Sequence, residues 1–404
     1  MNHLHGDDLP YKANARTGLN IPVFQFGQAI PVKDTLLGNR QANQTNEALL
    51  AQTGTNAAIY ITLYPEDGLA AVTDAEIDKL VAQLKGYDDK GISVWLRFAP
   101  EMNGNWMAYS QTPSLYRATW TRIAQALRAG APNVALVFSP NMGYTPVGNV
   151  ARTSPDFALF DTNGDGTLDA TDDPYLPYYP GDEYVDWVGL SVYHFGYERP
   201  NLDNTPAPAG ELENYISGHS NPNVHVNFYD EFAVKRNKPM MISESGHGYN
   251  PGGPSEGGAS EVQLKQSFWR QYYTNATFMD AYPKVKFMCQ FEIQKEENVP
   301  PVARMRDFRL TYSQPVLNAF LADLELVKDR YIWATAGSHA PVGGGSSPRQ
   351  NGTNGENKSR TDPAQNPSGD GQTAPETKNG VGKNVVSWLV GGVGLFAAVV
   401  GLGL

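Results

Sequence analysis

The chain has 404 residues, 41% apolar and 18% charged, with a formal net charge of −11. This is enough for one large folded domain with additions, and no Lys/Arg cluster breaks the acidic balance, so a nucleic-acid partner is not expected. One cysteine, Cys289, excludes an intrachain disulfide and reads as a small buried hydrophobe in a strand.

Residues 1–20 are polar and turn-rich, with no apolar leader after Met1, which suggests a start inside the natural protein. Val23 to Phe26 predicts a strand, Glu47 to Gln52 a helix, and the apolar run Ala57 to Tyr64 a strand covered on both faces. Thr73-Asp-Ala-Glu76 is a capping box, followed by Ile77, Leu80, Val81 and Leu84 at helical spacing. A strand begins at Val94. Pro113 opens a helix whose face carries Tyr116, Trp120, Ile123 and Leu127, and Gly130 ends it. Strands are predicted at 134–141, 185–193, 239–244 and 285–291, and helices at 228–235, 260–280 and 315–326. Strands alternating with helices imply βα units around a parallel sheet. Seven strands are counted, and a (β/α)8 TIM-type barrel needs eight.

Two strands end in acids. In the stretch from Val94 to Trp106, Arg97, Ala99 and Glu101 share parity, so an extended backbone points them to one side. An Arg and a Glu turned inward are costly to bury without partners, so such a pair reads as a site. Ile242-Ser-Glu244-Ser-Gly246-His247 repeats the arrangement. Barrel strands deliver their C-terminal ends to one rim, where residues distant in sequence can meet.

Arg97-Phe-Ala-Pro-Glu101-Met-Asn-Gly-Asn-Trp106 resembles the fourth-strand signature of family 26 glycoside hydrolases, which include many β-mannanases. The approach Pro180-Gly-Asp-Glu-Tyr-Val-Asp-Trp-Val-Gly189 and the Glu244 strand extend the resemblance over about residues 20–300. It implies Glu101 as acid/base and Glu244 as nucleophile of a retaining hydrolase, a pair about 5–5.5 Å apart. Arg97 beneath them would help keep Glu244 ionised. Asn141 falls in the family's Ser-Pro-Asn, and Tyr193 is placed to hydrogen-bond the nucleophile. Trp106, Tyr144, His194, His247 and Phe291 are candidate sugar contacts. Against the family, the absent strand is the first, Pro100 stands where a His is usual, and Phe291 is the aromatic nearest a usual Trp. The expected fold is a (β/α)8 barrel over residues 1–330 without its first strand. The expected activity is endo-hydrolysis of a β-linked polysaccharide such as mannan, by a monomer. Pro100, Phe291 and the absent strand support the rival reading, a non-catalytic carbohydrate-binding or structural surface protein on a decayed hydrolase fold, and transglycosylation is a third outcome.

Asp161-Thr-Asn163-Gly-Asp165-Gly166-Thr167-Leu-Asp169-Ala-Thr-Asp172 matches the twelve-residue calcium loop. Oxygen donors stand at positions 1, 3, 5, 9 and 12, Thr167 offers its carbonyl, and Gly166 allows the sharp turn. A structural Ca2+ is expected there.

Residues 331–384 read as a disordered linker rich in Gly, Ser, Pro and Asn. Residues 385–404 are uncharged and apolar, either a GPI-attachment signal or a spanning segment. Sequons at Asn43, Asn275, Asn351 and Asn357 agree with secretion. An extracellular protein held at the cell surface is the expectation.

Overall fold

The computed structural model describes residues 8–32, 38–39, 44–143, 150–196, 202–218, 226–299, 302–339 and 384–389. Seven parallel strands lie side by side in chain order: β1 (Val23–Ala29), β2 (Ala58–Tyr64), β3 (Val94–Phe98), β4 (Ala135–Phe138), β5 (Trp187–His194), β6 (Met240–His247) and β7 (Val285–Gln290). Each sequence-predicted strand is found, and Cys289 is buried within β7. The sheet curls with helices outside, the architecture of a (β/α)8 barrel with seven consecutive strands. The remaining place, between β7 and β1, is taken by Asn384–Leu389, which pairs parallel with both neighbours. The apolar C-terminal stretch thus contributes a strand. The rest of that stretch, 390–404, and the linker residues 340–383 lie outside the described residues, as do Tyr144 and the sequons at Asn43, Asn351 and Asn357. Among the described residues no helix is long and apolar enough to cross a membrane.

Four local expectations are corrected. Residues 331–339, read as the start of a disordered linker, are packed on the domain: Tyr331–Ile332 pair parallel with Asn384 and Val385, the buried Tyr331 hydroxyl donates to the Tyr273 carbonyl at 2.5 Å, and Ala336 bridges to Thr55. Residues Pro10–Thr17, read as turns, form a helix closed by Gly18 in the left-handed conformation. The single helix expected at 260–280 is two, Glu261–Trp269 and Ala276–Ala281; the Asn275 side chain caps the second by accepting from the Phe278 amide. The helix expected at 228–235 takes the π form over Tyr229–Val234.

The helix Pro113–Gly130 follows its sequence pattern, burying Tyr116, Trp120, Ile123 and Leu127 against the sheet. Inside the barrel, side chains from alternate positions stack in layers. The lower layer is apolar, with Trp95 edge-on to Trp187 at 5.8 Å and Tyr60 edge-on to Phe287 at 5.6 Å. One layer up it turns polar: Arg97, Ser139 and Ser191 are buried there, and Gln25 hydrogen-bonds Thr62. This polar layer is the floor of the site.

Candidate active site

Arg97 is wholly buried, and each of its donor groups has a partner. Nε donates to Ser139 Oγ at 3.0 Å, Nη2 to Ser191 Oγ at 2.6 Å, and Nη1 to Glu244 Oε1. Burial alone would weaken its hold on the proton. The surrounding Tyr60, Glu244, Glu101 and Tyr64 outweigh that and keep the guanidinium charged. The cation therefore fixes one oxygen of Glu244. The other accepts from the Tyr193 hydroxyl at 2.9 Å. Burial, then the nearby Glu244 and Glu101 carboxylates, push the Tyr193 phenol well up, so it stays a neutral donor. The register between β5 and β6 slips by one residue at this height, Leu190 opposing Ile242 and Ser191 opposing Glu244. Such an irregularity re-aims a side chain, here at the acid.

The parity expected through Glu101 does not hold beyond Phe98. The strand ends there, and Ala99 and Glu101 both adopt positive φ, 45° and 57°. Non-glycine residues rarely do so, and the strain concentrates at the turn carrying the acid. The turn is held by the Glu101 amide donating to the Ser139 carbonyl at 3.0 Å and by the Tyr109 hydroxyl donating to the Pro100 carbonyl at 2.8 Å. Pro100 itself is buried.

The Glu101 carboxylate accepts Asn141 Nδ2 at 3.1 Å on one oxygen and Trp106 Nε1 at 3.0 Å on the other. The Trp106 ring lies directly over Gly104, where a Cβ would come within 2.4 Å of it. Asn103, which sequence reasoning passed over although it sits inside the motif, exchanges two 2.8 Å hydrogen bonds with the backbone of Asn141. Ser191 was also missed; its parity with Tyr193 along β5 was the available signal.

Arg97, Glu101, Asn141, Trp106, Tyr193 and Glu244 are thus gathered at one rim. Phe291, just past β7, joins them, its ring edge-on to Tyr193 at 5.7 Å. His194 and His247 are corrected: both are buried, 1% and 2% exposed, and bond inward. Each donates Nε2 to the Thr205 carbonyl, at 2.8 and 2.9 Å, and His194 Nδ1 meets Glu211 at 2.9 Å. Burial, with His194 alongside, drives the His247 imidazole well below its ordinary range, so it is neutral. Neither ring reaches a sugar from there.

The loop 161–172 is anchored by the buried Tyr178, whose ring meets Phe160 at 6.1 Å. Its acids mostly accept from loop amides: Asp161 Oδ2 from Gly166 at 2.9 Å, Asp165 Oδ1 from Thr167 at 2.7 Å, Asp172 Oδ2 from Asp169 at 3.0 Å. Asp161 Oδ1 is buried with no hydrogen-bond partner. Among the described residues no three acids, histidines or cysteines are drawn around a common point.

No family model matches the chain. Endoglucanase H of Acetivibrio thermocellus is 33% identical over 131 residues, which cover 30% of this chain and 12% of that protein. The chain therefore matches about an eighth of that relative's length. Among solved structures, the catalytic domain of the Bacillus sp. JAMB-750 GH26 endo-β-1,4-mannanase is 17% identical with a TM-score of 0.41, covering 69% of each chain. A double mutant of the Cellulomonas fimi endo-β-1,4-mannanase is 17% identical with a TM-score of 0.46, over 77% of this chain and 65% of that one. The GH26 β-mannanase of Bacteroides ovatus is 16% identical with a TM-score of 0.44, over 78% and 81%. The chain is similar to glycoside hydrolases of family 26.

Proposed function

We propose that this protein is a retaining glycoside hydrolase that cleaves a β-linked polysaccharide internally, with mannan the first substrate to test. The observation that supports it is the unequal setting of two carboxylates at one rim. Glu244 is held by a cation and a phenol, Arg97 and Tyr193, as suits a nucleophile that must stay ionised. Glu101 is held by neutral donors, Asn141 and Trp106, as suits a group that gives and takes a proton. In the first step Glu244 attacks the anomeric carbon while Glu101 protonates the departing glycosidic oxygen, leaving a glycosyl ester on Glu244. In the second, Glu101 takes a proton from water, which attacks the same carbon and releases Glu244.

A mechanism-based fluorosugar inhibitor tests this directly. The expected result is a covalent adduct on Glu244, with Glu244→Gln and Glu101→Gln each losing at least about 1000-fold in turnover while staying folded. Turnover unchanged in either variant would refute the mechanism. The buried Pro100, which presents no side chain to substrate, favours a second reading, a carbohydrate-binding protein without hydrolysis. Glycan binding with neither adduct nor product would select it.

The proposal extends to calcium in the 161–172 loop, held by Asp161, Asn163, Asp165, Asp169, Asp172 and the Thr167 carbonyl. The partnerless Asp161 Oδ1 at the first donor position supports it. The ion would brace the insertion between β4 and β5 and take no part in bond cleavage. A site at the cell surface, tethered through 385–404, is the proposed setting.

A further inference from the structure

Past β7 the chain forms a hairpin, β8 (Gln294–Val299) and β9 (Val302–Asp307), that no sequence pattern announced. It delivers Phe308 to the rim. This ring is 1% exposed and stands edge-on to three others, Tyr193 at 5.3 Å, Phe291 at 5.4 Å and Phe195 at 6.2 Å. Its far side lies against the backbone that follows Glu244. A Cβ at Gly246 would come within 3.1 Å of the ring, and one at Gly248 within 3.0 Å. The two glycines after the acid leave that space.

The segment carrying Phe308 is held with unusual effort. The Gln290 amide donates to the Phe308 carbonyl at 2.6 Å, and the Phe308 amide to the Ile293 carbonyl at 3.0 Å. Asp307 and Tyr249 exchange backbone bonds at 2.7 and 3.2 Å. The buried Lys265 donates to the Arg309 carbonyl at 2.6 Å. The buried Glu292 carboxylate accepts from the amides of Leu310 and Thr311 at 2.9 and 2.7 Å. Buried titratable groups are costly, and here two of them, Lys265 and Glu292, secure one short stretch around an aromatic ring.

We infer that Phe308 is a positioning residue: wedged between the Gly246–Gly248 backbone and the Tyr193 ring, it keeps the Tyr193 hydroxyl on Glu244. The inference deepens the hydrolase reading and rests on it for its catalytic meaning. Phe308 touches no reacting atom. It fills the volume into which Tyr193 and Phe291 would otherwise tilt, since close-packed rings hold one another's orientation.

The test compares Phe308→Ala, Phe308→Leu and Tyr193→Phe in the full chain. Tyrosine labelled with 13C at Cζ reports the hydroxyl's hydrogen bond, and Tyr193→Phe assigns the signal. Phe308→Ala should move that signal towards the position of solvated tyrosine, and Phe308→Leu, which retains most of the volume, should leave it near wild type. A wild-type signal in Phe308→Ala overturns the inference. Kinetics on a β-mannan oligosaccharide form the second readout. Phe308→Ala and Tyr193→Phe should each lower kcat about ten- to hundredfold, with KM within about threefold, and the double variant should lose no more than Tyr193→Phe alone. A raised KM with unchanged kcat would make Phe308 a mere wall of the binding cleft and refute positioning. A wild-type chain that cleaves no β-polysaccharide refutes the hydrolase reading, while the tyrosine signal still decides what Phe308 holds.

Discussion

Replacing Arg97 by Met tests the floor of the site, because this one side chain joins β3, β4, β5 and β6. The substitution keeps much of the volume but removes the cation beside Glu244, itself only 12% exposed, and the donors to Ser139 and Ser191. Removing one partner of a buried ion pair costs about 3–5 kcal/mol. The serine hydroxyls can rotate to other acceptors, so each adds at most about 1 kcal/mol. The sum, about 4 kcal/mol, corresponds to a melting temperature lower by about 6 °C for a domain of this size. On the proposed mechanism, hydrolysis should fall at least about a hundredfold, because the oxygen proposed to attack loses its fixed charge partner. The assay is urea unfolding of Arg97→Met, Glu244→Gln and the double variant, at 0.1 and about 1 M salt. The double variant should recover at least about 1.5 kcal/mol relative to the sum of the singles, since no charge then stays buried unpaired. Additivity within about 0.5 kcal/mol, or a coupling that high salt erases, would show that the two groups are not a desolvated pair and would undo the account of the floor.

Asn103→Ala removes two hydrogen bonds to the Asn141 backbone, and kcat should drop about tenfold or more as the Asn141 amide leaves Glu101, with stability lower by about 2 kcal/mol. Steady-state kinetics beside thermal melts separates the two effects. Chelation by EDTA should lower the melting temperature, added Ca2+ should restore it, and Asp161→Ala should abolish the response; a melting curve indifferent to both would refute the calcium reading. Glu292 offers a pH test. Burial pushes its carboxyl up to about 7, above its ordinary 4.5, so the folded state holds the proton more tightly than the unfolded chain. Its contribution to stability is fully present below about pH 4.5 and is lost as pH rises through about 7, a span of up to about 3 kcal/mol. Glu292→Gln should flatten that part of the stability–pH curve; an unchanged slope between those values would place the effect elsewhere.

How much of this was legible beforehand differs by residue. Arg97, Glu101 and Glu244 could be picked out because an acid closing an apolar strand has no packing purpose, and Asn141, Trp106 and Tyr193 follow from neighbouring strand ends. His194 and His247 looked the same on that criterion. Yet both rings are buried and bond inward, where the Thr205 carbonyl and Glu211, at the start of the Glu211–Ser217 helix, meet them.

The order of βα units, the two acids at strand ends and the oxygen-rich loop are local properties, written in periodicity and spacing, and the chain alone determined them. Tertiary structure decided the rest: the left-handed turn that aims Glu101, the register slip that aims Glu244, the strand from Asn384–Leu389 in the open place between β7 and β1, and the seating of Phe308 against Tyr193. Each depends on what a second, sequence-distant segment places alongside, and no pattern within a short window carries that information.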